Sequence, residues 1–303
     1  MDDVTSSFLE TKRYAVVTGA NKGMGFETCK QLASSGVTVI LTARDPKKGL
    51  EALEIFSSLG LSDLLHFHQL DVTDSESVAA LADFVKAKFG KLDILVNNGG
   101  ILGVHLDADG LRARAAALEQ VDLSIFVGNA TQTYELAEAC IDTNFCGVRR
   151  MVQALLPLLQ LSDSPRIVNV SSVAGKLQFM QNEWAKGILN NVDNLTEEKL
   201  VEVVTKFLLD LKDGSHAEKG WPTLGPAYMV SKATLNAYTR LLAKKYPNIS
   251  TNCVCPGIVR TNMVCGVGNL SAEEGAAFLV RLALTPNGAS GLFFQGNEVG
   301  SFE

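Results

Sequence analysis

The chain has 303 residues and a mass of 32.5 kDa, a length compatible with one or two domains. Hydrophobic residues make up 47% of it and charged residues 20%, which excludes an intrinsically disordered chain. The formal net charge is -6 and neither half is basic, so we expect no nucleic-acid partner. No apolar run approaches the ~18 residues of a membrane helix, and the acidic N-terminal sequence does not resemble a secretory signal. We therefore expect a cytoplasmic protein without a membrane partner.

The residues that most often bind metals or glycans are scattered along the chain. Six Cys and four His follow no ligand spacing, so we expect free thiols and no metal. N-x-[ST] sequences begin at Asn129, Asn194, Asn248 and Asn269. In a chain without a secretory signal we expect none of them to be glycosylated.

Short β-branched runs alternate with helix-like segments. The predicted strands cover residues 13–19, 37–42, 65–70, 92–97, 166–171, 252–255 and 290–295. The predicted helices cover residues 25–34, 46–59, 75–89, 134–161, 228–246 and 272–284, with Asp74 and Ser271 as N-caps. Several strands are continuously apolar, which is typical of parallel strands covered on both faces. The sequence thus predicts one α/β domain over residues 1–303, a doubly wound Rossmann sheet of about seven parallel strands with helices on both faces.

Two long segments interrupt this alternation, each after the carboxyl end of a strand, where such sheets bind ligands. Residues 101–133 follow the fourth strand. Residues 173–226 follow the fifth strand and contain two short predicted helices, and we predict that they form a lid-like helical insert. Two alternatives stay open for its apolar residues, which either line a pocket or pack onto the sheet: Phe179, Met180, Trp184, Ile188 and Leu189. Three residues nearer the C-terminus are also pocket candidates: Met263, Val264 and Cys265.

A glycine cluster follows the first strand and opens the first helix. Gly19 allows a tight turn, while Gly23 and Gly25 let the helix begin close to a pyrophosphate, whose charge suits a helix N-terminus. A glycine cluster alone is weak evidence, but its place between a strand and a helix is the context that such a site needs. The cofactor-binding residues predicted here are Gly19, Asn21, Lys22, Gly23, Met24 and Gly25.

The end of the second strand indicates which nicotinamide cofactor is bound. NAD sites of this type carry an acidic residue there, whereas this chain has Ala43 followed by Arg44. Arg44 and Lys22 are placed to bind a 2′-phosphate, which favours NADP(H). The alternative is that both are ordinary surface cations, with Asp45 as an ion-pair partner for Arg44.

Tyr228 and Lys232 are separated by one helical turn and lie on the same helix face. A nearby ammonium favours the phenolate, so we predict that Lys232 lowers the pKa of Tyr228 and makes it a proton donor and acceptor near neutral pH. This spacing is common on helix surfaces. Tyr228 and Lys232 follow a predicted nucleotide-binding loop and a strand that ends in serine, and this order along the chain favours a catalytic pair.

Taken together, the sequences TGANKGMG, LDVTD, NNGG, VSS, YMVSK and PGIVRT resemble the short-chain dehydrogenase/reductase family. The resemblance extends over almost the whole chain. The long spacing between Ser172 and Tyr228, with NEWAKG and KGWP, is similar to a plant branch that contains the salutaridine and the menthone–neomenthol reductases. Gly100 departs from the alanine usual in NNAG, which puts the rigidity of that turn in doubt.

The resemblance implies roles for particular residues. Tyr228 would be the general acid, Ser172 would hydrogen-bond the substrate carbonyl, Lys232 would hold the nicotinamide ribose, and Asn144 would anchor a water relay. The adenine pocket would contain Asp71, Val72, Asn97 and Gly99. The turn that leads to the carboxamide would contain Pro256, Gly257, Ile258 and Thr261.

We expect an NADPH-dependent oxidoreductase that reduces a ketone of a hydrophobic plant metabolite, a monoterpenoid or an alkaloid, reversibly to the alcohol. One alternative is a reductase of enone C=C bonds, which the retained Tyr228 disfavours. Another is a catalytically silent NADP(H)-binding regulator. We also expect a monomer, because an insert before Tyr228 would cover the surface through which many members of the family dimerise.

Overall fold

The computed structural model describes residues 12–286 and 288–303, so most of the acidic N-terminal sequence discussed above lies outside the described residues. The strands found in them are β1 Tyr14–Val17, β2 Thr38–Ala43, β3 Leu65–Gln69, β4 Ile94–Asn97, β5 His105–Leu106, β6 Ala130–Thr131, β7 Arg166–Val170, β8 Ser250–Cys255, β9 Phe293–Gln295 and β10 Glu298–Gly300. The α-helices are α1 Gly23–Ser34, α2 Pro46–Ser58, α3 Ser75–Phe89, α4 Ala108–Ala116, α5 Tyr134–Ile141, α6 Val148–Leu159, α7 Glu183–Asn190, α8 Glu197–Lys212, α9 Pro226–Lys245 and α10 Ala272–Leu284.

The main sheet has the order β10-β9-β8-β7-β4-β1-β2-β3. All neighbouring strands are parallel except β9 and β10, which form an antiparallel hairpin at one edge. The doubly wound parallel sheet is confirmed, but it has eight strands rather than about seven. The extra strand is β10, which follows β9 after a two-residue turn in which Gly296 has a φ of +58°. A three-residue strand is too short to give a periodic signal in the sequence.

Helices cover both faces of the sheet because successive strand residues point to opposite sides. Val16 and Ile40 belong to the core beneath α3, α5, α6, α8 and α9. Their neighbours Val17 and Leu41 belong to the core beneath α1, α2 and α10. Every residue of β2 is buried, as its continuously apolar sequence predicts for a strand covered on both sides.

The helix boundaries follow local sequence signals closely. Asp74 caps α3, and Ser271 and Glu274 form a reciprocal capping box at the start of α10. The predicted helix over 134–161 is interrupted, because residues 142–147 form a π-helical turn between α5 and α6. Such turns are rare and have no simple sequence signal.

The two long segments contain additional elements. Residues 101–133 hold α4 and a small antiparallel sheet of β5 and β6. In residues 173–226, α8 packs against α5 and α9. The buried Asp210 of α8 accepts hydrogen bonds from Trp221 Nε1 at 2.9 Å and Lys219 Nζ at 2.6 Å, which ties α8 to the chain before α9. Burial opposes ionisation of Asp210, but these donors, with Lys206, lower its pKa to about 2.

Candidate active site

A cavity of about 810 Å³ lies at the carboxyl ends of the central strands. Strand order reverses between β1 and β4, which is where open α/β sheets bind ligands. Nearly all of the residues predicted from sequence line this cavity: Gly19, Asn21, Lys22, Gly23, Met24, Gly25, Arg44, Asp71, Val72, Gly99, Ser172, Tyr228, Lys232, Pro256, Gly257, Ile258 and Thr261. The exceptions are Asn97 and Asn144.

The loop between β1 and α1 has the geometry of a phosphate cradle. Gly19 has a φ of +64°, and a Cβ on it would lie 2.9 Å from Gly99 Cα. A Cβ on Gly25 would lie 2.6 Å from both Gly19 O and the Asn98 amide nitrogen, so neither position accepts a side chain. The N-cap of α1 is Lys22, whose side chain makes no capping hydrogen bond. The first N–H groups of α1 are thus directed at the cavity without a side-chain cap, which suits a bound pyrophosphate.

Cationic side chains border the cavity at the end of β2. Arg44 is exposed, and Lys22 lies on the same cavity. Asp45 does not take Arg44 as its partner. It caps α2 by accepting from the N–H groups of Lys47 and Lys48, and its ion pair is with Lys48. Arg44 therefore lines the cavity without Asp45 as an ion-pair partner.

Asp71 lies on the cavity wall near Arg44. Burial raises the pKa of Asp71, but hydrogen bonds from Thr73 and the charges of Arg44 and Arg150 outweigh burial, so that its pKa is below the usual value. The carboxylate is thus an acceptor at neutral pH, as contact with an adenine amino group would require.

Asn97, predicted to line the adenine pocket, does not line the cavity. This side chain is only 2% exposed and its amide nitrogen donates to Asn169 Oδ1 at 2.8 Å. The two residues are paired in register on β4 and β7, so their side chains meet on one face of the sheet. The next residue, Asn98, lines the cavity instead, and its amide nitrogen donates to Thr18 O and Gly19 O. Asn98 therefore holds the glycine loop against β4, a role that the alternation of side chains along β4 could have indicated.

Helix α9 brings the catalytic candidates together. Gly225, in the left-handed conformation with φ +55°, and Pro226 begin this helix directly before Tyr228. Lys232 Nζ donates to Val170 O at 2.8 Å and lies 5.6 Å from the centre of the Tyr228 ring. Ser172 lines the same cavity as Tyr228, and its Oγ accepts from the N–H of Ala174 at 3.1 Å. The carboxyl end of β7 thus meets the first turns of α9, as the order of the motifs predicts.

The pKa values of Tyr228 and Lys232 differ from those expected from the sequence. Burial raises the pKa of Tyr228 above its usual value, and the hydrogen bond with Ser172 lowers it only in part. Burial lowers the pKa of Lys232 to about 8. The predicted depression of the Tyr228 pKa by Lys232 is not found in this structure, where desolvation of the phenolate raises that pKa. Tyr228 is thus a neutral phenol at neutral pH and a proton donor.

Asn144 lies behind the cavity wall, in the π-helical turn. It is 1% exposed, and its amide nitrogen donates to Ile101 O at 2.9 Å and to Ser231 Oγ at 3.1 Å. Its Oδ1 accepts from the N–H of Ile101 at 2.9 Å. A Cβ on Gly100 would lie only 3.1 Å from this oxygen. The side chain of Asn144 therefore fixes the chain after β4 close to α9, and glycine at position 100 leaves room for it.

Apolar residues line the part of the cavity beside Tyr228. Met263 and Val264 are among them, as predicted, whereas Cys265 is not. The segment between β4 and α5 contributes Leu102, Leu123 and Phe126, which the sequence analysis did not single out. The signal available was the apolar content of a long segment after a strand end.

The predicted insert contributes less to this wall than expected. Only its ends, at Ala174, Leu224 and Gly225, border a small apolar side pocket next to Tyr228. Of the two alternatives for its five apolar residues, packing is found for three and pocket lining for none. The residues buried in or packed against the main core are Met180, Ile188 and Leu189, while Phe179 and Trp184 are exposed. Residues 101–133 contribute Ile101, Leu102, Leu123 and Phe126 to the lining of the main cavity, whereas the helices of 173–226 contribute none.

Comparison with known proteins agrees with this geometry. A family model described as short chain dehydrogenase matches residues 13–184, and one described as enoyl-(acyl carrier protein) reductase matches residues 213–288. Short-chain dehydrogenase/reductase 1 of Saponaria officinalis is 57% identical over 98% of this chain and 99% of its own length. The (+)-neomenthol dehydrogenase of Arabidopsis thaliana is 54% identical over 97% of this chain and 99% of its own. The structure of salutaridine reductase from Papaver somniferum superposes with a TM-score of 0.87 at 50% identity, covering 94% of this chain and 99% of that one.

The chain belongs to the short-chain dehydrogenase/reductase family, whose fold and glycine loop it shares, and it is an oxidoreductase. This family uses a nicotinamide cofactor. Among the helices of the described residues, none has both the length and the apolar character that crossing a membrane requires.

Proposed function

We propose that this protein reduces a ketone of a hydrophobic plant metabolite, a monoterpenoid or an alkaloid, to the alcohol with NADPH, and that the reaction is reversible. The observation that carries the proposal is the position of Tyr228, Ser172 and Lys232 at one cavity that also has an apolar wall. The names of the relatives, a neomenthol dehydrogenase and a salutaridine reductase, support these two substrate classes.

The cofactor proposal rests on the charges and the backbone at one end of the cavity. The uncapped N-terminus of α1 would bind the pyrophosphate, and Arg44 with Lys22 would bind the 2′-phosphate of NADP(H). Ile258 and Thr261 would hold the carboxamide. When bound, the reduced nicotinamide supplies the hydride.

The residues of the chain would supply the proton and orient the substrate carbonyl and the ribose of the cofactor. The Ser172 hydroxyl would donate a hydrogen bond to the substrate oxygen, whose negative charge grows during reduction. The neutral Tyr228 phenol would then transfer its proton to that oxygen. Lys232, anchored on Val170 O, would hold the ribose and stabilise the phenolate that remains. A relay anchored at Asn144, and the cytoplasmic location, stay predictions.

The test is NADPH consumption with product identification over menthone, salutaridine, a simple aldehyde and a cyclic enone. We expect an alcohol from at least one bulky ketone. Tyr228→Phe is expected to lower the rate by about 10²–10⁴-fold while NADPH still binds. A saturated ketone from the enone would indicate C=C reduction instead. Tight binding of NADPH without turnover, even on a wider carbonyl panel, would indicate a silent regulator.

A further inference from the structure

Residues 104–131, called here the cover segment, form a small unit with its own internal bonds. Strands β5 and β6 close it at its base. Leu111 and Ile125 are fully buried within it, and the Asn129 amide nitrogen donates to Ile125 O at 2.8 Å. The segment is thus organised by contacts between its own residues.

The cover segment contributes part of the apolar wall of the cavity. Leu123 and Phe126 lie in a single 3₁₀ turn and line both the main cavity and the side pocket next to Tyr228. The position of this turn therefore sets the space available to the body of a substrate. The contacts that hold this turn in place therefore affect which substrates fit the cavity.

One side chain outside the cover segment holds it to the rest of the protein by hydrogen bonds. Asn269 Oδ1 accepts from the N–H of Val121 at 2.9 Å, and Asn269 Nδ2 donates to Val121 O at 2.8 Å. In the part of the chain that the structure describes, all hydrogen bonds from 104–131 to other segments go to this amide. Val121 lies two residues before Leu123, so the amide acts directly on the turn that forms the wall.

Asn269 is itself fixed to the loop after β8. Its N–H donates to Ile258 O at 2.8 Å, and the N–H of Arg260 donates to Leu270 O at 2.8 Å. A Cβ on Gly268 would lie 2.5 Å from Ile258 O, so the two stretches of chain are in close backbone contact. Ile258 and Arg260 line the cavity next to Thr261. Residues 256–261, which would hold the nicotinamide carboxamide, are called here the carboxamide loop. The apolar wall at Leu123 and Phe126 is called the substrate wall. The amide of Asn269 joins the carboxamide loop to the substrate wall.

We propose that Asn269 is a positioning residue that fixes the substrate wall of the cover segment against the carboxamide loop, and thereby sets the affinity for the ketone. The inference rests on the function proposed above for this cavity. It assigns a tertiary role to an asparagine whose only sequence signal was an N-x-[ST] pattern. Because Asn269 touches neither Tyr228 nor Ser172 nor Lys232, its loss is expected to act on substrate binding rather than on proton transfer.

The test combines hydrogen exchange with steady-state kinetics on Asn269→Ala. We expect exchange of the Val121 amide to accelerate by about tenfold, because its acceptor is lost. We expect KM for the ketone to rise by about fivefold to tenfold, with kcat changed less than twofold. Asn269→Asp is expected to behave like Asn269→Ala at neutral pH, since a carboxylate oxygen would then face Val121 O in place of a donor.

Asn248→Ala is the matched control. Asn248 also begins an N-x-[ST] sequence and is exposed at the far end of α9, so exchange at Val121 and KM are expected to stay at the wild-type values. Unchanged exchange at Val121 in Asn269→Ala would overturn the proposal. So would exchange that accelerates across the whole sheet, or a fall in kcat with KM unchanged. Hydrogen exchange decides the role of Asn269 even if the wild-type protein reduces no ketone, which would count against the proposed function alone.

Discussion

Arg44 is the residue on which the proposed preference for NADP(H) rests. It follows the small Ala43 at the end of β2, and Asp45 is engaged with α2 rather than with its guanidinium. Arg44→Gln is expected to weaken NADPH binding by about 10- to 100-fold and to leave NADH binding almost unchanged, because a charge-assisted bond to the 2′-phosphate is lost. Titration of cofactor fluorescence measures both affinities.

Lys47→Gln provides the control for this prediction. Lys47 is an exposed cation three residues away that does not line the cavity, so its loss changes the overall charge equally without removing a phosphate ligand. Equal weakening of NADPH and NADH in Arg44→Gln would contradict the assignment of Arg44 to the 2′-phosphate.

Lys232 gives the pH dependence of the reduction. Its pKa is lowered to about 8 by burial, so the ammonium is present below that pH and is lost as the pH rises through it. The pKa of Tyr228 is raised, so the phenol keeps its proton over the same range. We expect kcat/KM for reduction to be level below pH 8 and to fall above it, measured with a ketone that the substrate panel shows to be reduced. A fall that begins only above pH 10 would contradict this assignment to Lys232.

At the scale of elements, the turn after β7 packs closely against the backbone of α9. A Cβ on Gly175 would lie 2.5 Å from the carbonyl carbon of Lys232 and 2.8 Å from the nitrogen of Ala233. These are backbone atoms, so they cannot move without displacing the helix. Gly175→Ala is expected to lower stability by about 1–3 kcal/mol and to lower kcat/KM, because Ser172 and Tyr228 are forced apart.

Gly187→Ala is the comparison for that variant. Gly187 lies inside α7, and a Cβ on it would have no atom within 4 Å, so alanine there is expected to stabilise the protein by about 0.5–1 kcal/mol with unchanged activity. Urea unfolding and kcat/KM of both variants provide the measurement. A Gly175→Ala protein as stable and active as the wild type would show that the turn adjusts without cost.

At the scale of the whole molecule, α8 covers two helices beside the cavity. This helix lies on α5 and α9, and its apolar side, including Val203 and Phe207, belongs to the main core. The bonds of Asp210 hold it in that place. The helices beside the active site are thereby covered within one chain, and we expect light scattering to give the monomer mass of 32.5 kDa. Twice that mass at micromolar concentration would refute the prediction.

The sequence by itself determined the features that depend on neighbouring residues. The glycine spacing from Gly19 to Gly25, the one-turn separation of Tyr228 and Lys232, and the capping box at Ser271 each act within a few residues of one another. Seven parallel strands were predicted, several of them because burial on both faces leaves continuously apolar runs. These signals were sufficient for the fold and for most of the residues that line the cavity.

Only the tertiary structure decided the features that depend on contacts between distant residues. It placed Asn98 rather than Asn97 at the cavity, because Asn97 pairs with Asn169 across two strands. It raised the pKa of Tyr228, which the sequence had predicted to be lowered, because burial of the side chain depends on the packed site. It also showed that residues 101–133, and not the helices of 173–226, line the main cavity, and that Asn269 is hydrogen-bonded to Val121. Val121 and Asn269 are 148 residues apart, and no local pattern in the sequence records their contact.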